Sequence, residues 1–218
     1  MMKENITCYF AASLFSTRDR LFNRRLCEQI ESNGVTCFLP QRDGFEFSIL
    51  GGLLDKSELE QGMLQELIYL LDMGVLLPKS DIVLAVLDEP MDEGVIVEIC
   101  YARLLGIPVI GVRTDSKAPF GEKEDKFGGG HFFPIFQCTR MIFNYDDNVE
   151  EITNKFINHL QRIESKQENH CIPEPYVLIK RKADGIFKNI TKYNSEHSIK
   201  IIVQRLRKYA KSDLIPPG

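Results

Sequence analysis

Residues 82–98 read Ile-Val-Leu-Ala-Val-Leu-Asp-Glu-Pro-Met-Asp-Glu-Gly-Val-Ile-Val-Glu: an apolar run, an acidic turn and the start of a second apolar run. The first run ends at Leu87, and the second continues to Leu105. A short apolar run, a turn and a longer apolar segment predict a buried strand followed by a mostly buried helix. A strand that leads into a helix is the repeating unit of a parallel sheet.

Glu98 is the unusual residue of the predicted helix, because it is the only formal charge between Glu93 and Arg103. The positive end of the helix dipole would favour a carboxylate near the helix start. Open α/β sheets bind ligands at the carboxyl ends of their strands, where this helix begins. We therefore predict that Glu98 is a nucleophile; a solvated or paired structural glutamate is the alternative.

Further apolar runs predict four more strands, near residues 6–12, 35–39, 107–112 and 139–143. Helices are predicted after a cap at Ser16 and over residues 57–71 and 149–163, with loops over residues 41–45 and 113–131. This alternation predicts a flavodoxin-like, doubly wound α/β fold with a five-stranded parallel sheet in the order 2-1-3-4-5. Tyr9 and Glu98 would then meet at the switch point between strands 1 and 3.

The composition, 218 residues with 44% hydrophobic, is that of a globular protein. We expect one domain, residues 1–164, and a basic helical C-terminal extension, residues 165–218. No run is long enough to cross a bilayer and no leader sequence is visible, so no membrane partner is expected. Six scattered cysteines without a CxxC pair, and four histidines without ligand spacing, predict a cytoplasmic protein with reduced thiols, no metal and no other cofactor.

Charge is unevenly distributed along the chain. Residues 165–218 carry 11 Lys and Arg against 5 Asp and Glu, whereas residues 1–164 carry 16 against 26. The tail has few interleaved aromatic residues and no recognition motif, so we expect no nucleic-acid partner. Its two predicted helices, near residues 176–190 and 196–211, should pack on the acidic body of the same or a neighbouring subunit.

Three predicted loops end at one edge of the sheet and carry residues 9–15, 41–47 and 88–98. Asp92 and Glu98 form a carboxylate pair, which suits glycosidic-bond chemistry: one attacks or stabilises the anomeric carbon and the other manages the proton. Gln41 can offer both a donor and an acceptor to a heterocycle. Phe45 and Phe47 are either base-stacking residues or core residues.

Three segments together resemble the nucleoside 2-deoxyribosyltransferase family. They are residues 9–16 (Tyr-Phe-Ala-Ala-Ser-Leu-Phe-Ser), residues 38–44 (Phe-Leu-Pro-Gln-Arg-Asp-Gly) and residues 92–98 (Asp-Glu-Gly-Val-Ile-Val-Glu). The resemblance implies a flavodoxin-like fold and a retaining transfer in which a glutamate attacks C1′ of a 2′-deoxynucleoside. A second base, or slowly water, then replaces the first. The implied partners are small-molecule 2′-deoxynucleosides and free nucleobases, bound by a homo-oligomer.

The resemblance also implies roles for individual residues. Glu98 matches the nucleophile, Asp92 matches the acid that helps to handle the base and its proton, and Tyr9 matches the tyrosine that orients the nucleophile. Five residues are predicted to bind substrate. Gln41 and Asp43 lie in the loop that contacts the base, and Asp72 lies in the helix before strand 3. Phe15 lies in the first loop, and Gly94 lies at the start of the Glu98 helix.

Two features depart from the family pattern. Family members place an asparagine of a neighbouring subunit near the sugar, and Gln137 is the candidate substitute in residues 133–138. Some members also use their own C-terminal carboxylate in the neighbour's site, which the added tail argues against here.

Two alternatives remain at the level of the sequence. Related hydrolases cleave 2′-deoxynucleoside 5′-monophosphates, but they carry a Gly- and Arg-rich first loop and a serine where Asp92 stands. An aspartate would repel a phosphate, so nucleosides are preferred. A non-catalytic nucleoside-binding domain is the second alternative; phosphoacceptor and flavin domains fit less well, because the first strand ends in Ala11-Ala12 and lacks their acids or phosphate loop.

Overall fold

The computed structural model describes residues 5–146, 148–163 and 174–209. The chain forms two compact units: residues 1–41 with 79–171, and residues 42–78 with 172–218. The expected domain boundary between residues 164 and 165 stays a prediction, because both residues lie outside the described ranges.

The first unit contains one sheet of five parallel strands. The strands are β1 (Thr7–Ala11), β2 (Thr36–Phe38), β3 (Ile82–Val86), β4 (Val109–Arg113) and β5 (Arg140–Phe143). Their spatial order is β2-β1-β3-β4-β5, and every neighbouring pair is parallel. The predicted flavodoxin-like order is therefore confirmed.

The helices connect these strands and form most of the second unit. They are α1 (Thr17–Glu31), α2 (Pro40–Asp43), α3 (Phe47–Leu53), α4 (Lys56–Glu60), α5 (Met63–Leu71), α6 (Leu77–Lys79), α7 (Glu93–Leu104), α8 (Phe132–Gln137), α9 (Val149–Leu160), α10 (Glu174–Ile186) and α11 (Glu196–Leu206). A π-helical segment, Asp72–Leu76, lies between α5 and α6.

Strand alternation assigns the two faces of the sheet. Cys8 and Phe10 belong to one buried cluster with residues of β3, β4, α1 and α9. Tyr9, between them, faces the other side, where α7 packs on β1, β3 and β4. The sheet is thus covered on both faces, as its continuous apolar strands require.

The start of α1 follows from its sequence. Ser16 is the N-cap, and its Oγ accepts a hydrogen bond of 3.0 Å from the backbone N–H of Asp19. This contact satisfies one of the amide groups that a helix start leaves without a partner. The predicted cap is confirmed.

Several predicted element bounds are wrong. The helix expected over residues 57–71 is two helices, because Gly62 adopts a left-handed φ of +76° between α4 and α5. The loop expected at residues 41–45 begins inside α2, and α8 interrupts the segment before β5. Helices α9, α10 and α11 end earlier than expected, although residue 211 lies outside the described ranges.

Helix α7 is less buried than its apolar composition predicts. Val95, Ile99 and Ala102 are buried, whereas Val97 and Leu104 are exposed. A helix on the outer layer of a sheet buries only the stripe that faces the sheet.

In the second unit the two C-terminal helices pack on residues from the middle of the chain. Helix α10 contacts α5 and the π-helical segment, and α11 contacts α3. The Tyr176 hydroxyl donates to the Met73 carbonyl at 3.2 Å, and Arg207 forms two hydrogen bonds with Glu58, of 2.6 and 2.8 Å. Both tail helices therefore pack on residues of the segment 42–78, which belongs to the predicted acidic body.

Throughout the three described ranges, no helix has both the length and the apolarity that crossing a membrane would demand.

Candidate active site

The central contact of the first unit joins Tyr9 of β1 to Glu98 of α7. Tyr9 is fully buried and Glu98 is half-buried. The Tyr9 hydroxyl donates a hydrogen bond of 2.6 Å to Glu98 Oε1. Strands β1 and β3 are neighbours, so the helix that follows β3 passes over β1. The contact predicted from the strand order is therefore confirmed, and it fixes the orientation of the carboxylate.

Asp92 is the N-cap of the same helix. Its Oδ1 accepts hydrogen bonds from the backbone N–H groups of Gly94 at 2.8 Å and Val95 at 3.3 Å. The sequence predicts a catalytic acid here, and the structure shows that the residue also begins the helix. A Cβ on Gly94 would come within 2.9 Å of Asp92 Oδ1, so glycine lets the carboxylate approach the helix start.

The loop that leads to Asp92 is held by the residues after β4. Asp88 accepts hydrogen bonds from the Thr114 backbone N–H at 2.6 Å and from the Thr114 hydroxyl at 2.5 Å. In return, Asp115 Oδ2 accepts from the Glu89 backbone N–H at 2.8 Å, and Lys117 donates to the Glu89 carbonyl. Burial raises the pKa of Asp88. These contacts restrain the segment on which Asp92 stands.

Arg113, the last residue of β4, is fully buried behind this loop. Its Nη2 donates to the Lys117 carbonyl at 2.6 Å, and its Nη1 lies 4.0 Å from Glu89 Oε1. A Cβ on Gly130 would lie 1.9 Å from Nη1, so the guanidinium occupies space that only a glycine leaves open. Across the described ranges, Nε and Nη1 have no hydrogen-bond partner in the protein.

The sequence prediction missed Asp88, Arg113, Thr114 and Asp115. One signal was available in the sequence, because a charged residue follows each of the apolar runs 82–87 and 107–112, namely Asp88 and Arg113. The pairing of the two loops could not be read from spacing, because their hydrogen bonds join residues 26 to 28 positions apart.

Gln41 is held by a small polar network. Asn23, a buried residue of α1, donates to the Ser13 carbonyl at 2.8 Å and to Gln41 Oε1 at 3.2 Å. Gln41 Nε2 donates to the Arg20 carbonyl at 2.9 Å. Both ends of the Gln41 amide therefore have protein partners. Its role in base recognition stays a prediction.

The aromatic candidates occupy different environments. Phe15, on the first loop, is 81% exposed, which leaves its ring available to a ligand. Phe45 is buried in the second unit, with its ring centre 6.2 Å from that of Phe187. Of its two expected roles, base stacking or core packing, the structure therefore shows core packing. Phe47 begins α3 and is exposed.

Asp43 and Asp72 belong to the second unit. Asp43 pairs with Arg42 at 2.9 Å. Asp72 begins the π-helical segment, and burial raises its pKa to about 7. A carboxyl group that titrates near neutrality is suited to proton transfer. The substrate-binding roles of both residues stay predictions.

Gln137 is the last residue of α8 and is half-buried. Its Nε2 donates to the Phe133 carbonyl at 3.3 Å, inside the helix. Around it lies an aromatic patch of exposed rings, formed by Phe120, Phe132, Phe133 and Phe136. The proposed role of Gln137 in a neighbouring site stays a prediction.

One group of described residues has the geometry to hold a metal ion, and it lies on the other face of the sheet. The ligand atoms of Cys27, Glu31 and Cys37 are all within 4.8 Å of one another. No disulfide joins the described cysteines, and Cys171 lies outside the described ranges.

Comparison with known proteins identifies a family and finds similar solved structures. Residues 8–151 match the family model described as nucleoside 2-deoxyribosyltransferase. No curated protein matches the sequence. Among solved structures, the Clostridium botulinum CMP N-glycosidase BcmB is similar at 12% identity, with a TM-score of 0.42, over 70% of this chain and 98% of that chain. This likeness is too distant to support an argument about activity.

Proposed function

Because the chain belongs to the nucleoside 2-deoxyribosyltransferase family, we propose that it transfers 2-deoxyribose between nucleobases through a covalent deoxyribosyl-glutamate intermediate. Membership of this family indicates an enzyme that forms or breaks glycosidic bonds of nucleosides or nucleotides. The observation that carries the finer proposal is the 2.6 Å hydrogen bond from Tyr9 to Glu98 at the switch point of the sheet.

In the first half-reaction a carboxylate oxygen of Glu98 attacks C1′ of the donor nucleoside. The bond from C1′ to the base nitrogen breaks, and its electron pair leaves with the base, which takes up a proton. In the second half-reaction a nitrogen of the incoming base attacks C1′, the ester bond to Glu98 breaks, and the incoming base loses a proton. Two displacements at one carbon give net retention.

Tyr9 supports this chemistry by orientation. Its hydroxyl fixes one oxygen of a side chain that would otherwise rotate about three bonds. The same hydrogen bond stabilises the carboxylate when it leaves C1′ in the second half-reaction. Tyr9 itself is immobile because its ring is buried between the sheet and α7.

Asp92 is assigned the proton transfers of the two half-reactions. Both of its capping hydrogen bonds end on Oδ1, so Oδ2 is the oxygen assigned to the base. The contacts of Asp88 and Asp115 hold the preceding loop, and they limit the motion of Asp92 relative to Glu98. Restrained geometry is worth several orders of magnitude in rate when a reacting group must meet one atom.

A nucleoside is favoured over a 5′-monophosphate by the first loop. A phosphate is usually held by backbone N–H groups, hydroxyls and arginines. Here Arg20 Nη1 already donates to the Leu14 carbonyl at 3.0 Å, and residues 11–15 contain neither glycine nor arginine. Asp92 would add a repulsive charge.

The test is an assay with deoxyinosine as donor and adenine as acceptor, followed by chromatography. Formation of deoxyadenosine supports transfer, whereas hypoxanthine and free deoxyribose alone would indicate a hydrolase. A parallel reaction with 2′-deoxynucleoside 5′-monophosphates tests the substrate class. Binding of nucleosides without turnover would favour the non-catalytic alternative.

We also propose a homo-oligomer, supported by the exposed aromatic patch beside α8. Exposed apolar patches of this kind mark interaction surfaces. Light scattering of the protein and of a Phe133→Ser, Phe136→Ser variant tests it: a smaller mass for the variant supports the proposal, and a monomeric parent protein contradicts it. A cytoplasmic location is proposed as well, because the described cysteines form no disulfide.

A further inference from the structure

We propose that Cys8, Cys27, Cys37 and Glu31 form a closed structural site for one Zn²⁺ ion in the first unit. The site is separate from the proposed chemistry, because Cys8 and its neighbour Tyr9 point to opposite faces of the sheet. Nothing in the inference depends on the proposed function.

The fold brings these four side chains together from three elements. Cys8 of β1 and Cys37 of β2 are directly paired in the parallel register, so their side chains leave the same face of the sheet. Cys27 and Glu31 lie four residues apart on α1, which places them one above the other on that helix. Cys8, Cys27 and Cys37 belong to the same buried cluster.

Three of the four ligand atoms lie close to the spacing of a tetrahedral zinc site. Those of Cys27, Glu31 and Cys37 are within 4.8 Å of one another. Zinc–sulfur bonds of about 2.3 Å and zinc–oxygen bonds of about 2.0–2.2 Å separate tetrahedral ligand atoms by roughly 3.5–3.8 Å. These three atoms would have to approach one another by about 1 Å, and the Cys8 thiol, which donates to the Tyr9 carbonyl at 3.6 Å, would have to turn toward them.

The donor set selects the ion. Three thiolates and one carboxylate suit Zn²⁺, whereas Mg²⁺ and Ca²⁺ prefer oxygen ligands. Binding releases the three thiol protons to water, and the complex carries the same net charge as a site with four cysteines. All four positions are filled by protein, which is the pattern of a structural site rather than a catalytic one.

The end of α1 favours a cation at this place. The last turn of α1 contains no basic residue, although the carboxyl end of a helix attracts positive charge.

An ordinary apolar role explains the cysteines only in part. Buried free cysteines commonly act as small hydrophobic residues. That role does not require a carboxylate beside them, and Glu31 is half-buried with its oxygen within reach of two thiols. Replacing Glu31 therefore distinguishes a zinc site from ordinary core packing of the cysteines.

The test uses the full chain, reduced and treated with a chelator, then titrated with Co²⁺ and with Zn²⁺. We expect one Co²⁺ per chain, with the charge-transfer absorption of thiolate ligands and the visible bands of a tetrahedral ion. Zn²⁺ should displace the Co²⁺ and raise the melting temperature. Glu31→Gln should weaken Zn²⁺ binding by more than the roughly 10- to 100-fold that loss of an outer-shell partner costs.

Cys37→Ser should abolish the thiolate absorption, while Cys138→Ser, which changes a cysteine outside the group, should leave it intact. Should Cys37→Ser fail to fold, the half-buried Glu31→Gln variant still decides the matter. The proposal is overturned when the reduced protein shows no thiolate absorption with Co²⁺. It is equally overturned when the Zn²⁺ affinity is the same in Glu31→Gln as in the parent protein.

Discussion

The two compact units are stabilised in different ways. The first unit is a sheet with an apolar cluster on one face, and its buried polar contacts include those of Tyr9 in β1 and of Asp88 and Arg113 at the carboxyl ends of β3 and β4. The second unit is helical and joins two distant segments through helix packing and a few ion pairs, such as Arg207 with Glu58. We therefore expect substitutions at Tyr9, Asp92 and Glu98 to change chemistry, whereas substitutions at the helix contacts of the second unit should change stability.

The largest expected effect is on the chemistry of the first unit. Glu98→Ala should reduce transfer by at least ~10³-fold, or about 4 kcal/mol of barrier, because it removes the proposed nucleophile. The melting temperature should stay close to that of the parent protein, since Glu98 is only half-buried. Glu93→Ala, an exposed carboxylate of the same helix, is the matched control and should retain activity. A folded Glu98→Ala protein with more than a tenth of the parent rate would contradict the assignment.

The second effect is on the packing of the second unit. A Cβ on Gly74 would come within 2.4 Å of Ala183 Cβ, at the contact between the π-helical segment and α10. Gly74→Ala should therefore lower the free energy of unfolding by about 1–3 kcal/mol, measured by chemical denaturation. Gly51→Ala is the control, since a Cβ at Gly51 meets nothing within 4 Å and should be neutral or slightly stabilising. Equal stability of the two variants would show that this contact is loose.

A pH dependence is expected from Asp72. Burial raises its pKa to about 7, above that of an aspartate in the unfolded chain, so the folded protein favours the protonated form. Its contribution to stability is complete below about pH 4 and is lost as the pH rises through about 7. Asp72→Asn should therefore match the parent protein at pH 4 and be more stable by about 1 kcal/mol at pH 8, since the half-buried carboxyl is partly screened by water. Equal melting temperatures of the two proteins at both values would contradict this.

The smallest effect is expected from the ion pair of α11. Its Arg207 partner lowers the pKa of Glu58 to about 2, so the pair stabilises the fold above the usual glutamate pKa and loses this contribution as the pH falls toward 2. Arg207 is largely exposed, so Arg207→Ala should cost less than about 1 kcal/mol at pH 7. High salt should reduce the difference further. A larger loss, unaffected by salt, would point to packing of the arginine stem instead.

The sequence predicts the first unit well because its signals are local. Each strand is an apolar run that ends at a turn, and the Ser16 cap lies beside the helix it begins. The contact of Tyr9 with Glu98 follows once the strand order is known.

The second unit and the details of the site are not predictable in this way. Two segments with 93 residues between them form the second unit, and no local pattern records their pairing. The Asp88–Thr114 contact and the grouping of Cys27, Glu31 and Cys37 likewise depend on neighbouring elements in space. The break between α4 and α5 is different, because it has a local signal in the sequence: Gly62, which adopts a left-handed backbone conformation there.

The covalent deoxyribosyl-glutamate intermediate is tested most directly by intact-mass spectrometry of the protein, quenched rapidly after mixing with deoxyinosine in the absence of an acceptor base. We expect a mass increase of one deoxyribosyl group, located on Glu98 by peptide mapping and absent from Glu98→Ala. The adduct should disappear when adenine is added, as deoxyadenosine forms. Transfer activity without an adduct on Glu98, or an adduct on another residue, would contradict the proposed covalent mechanism.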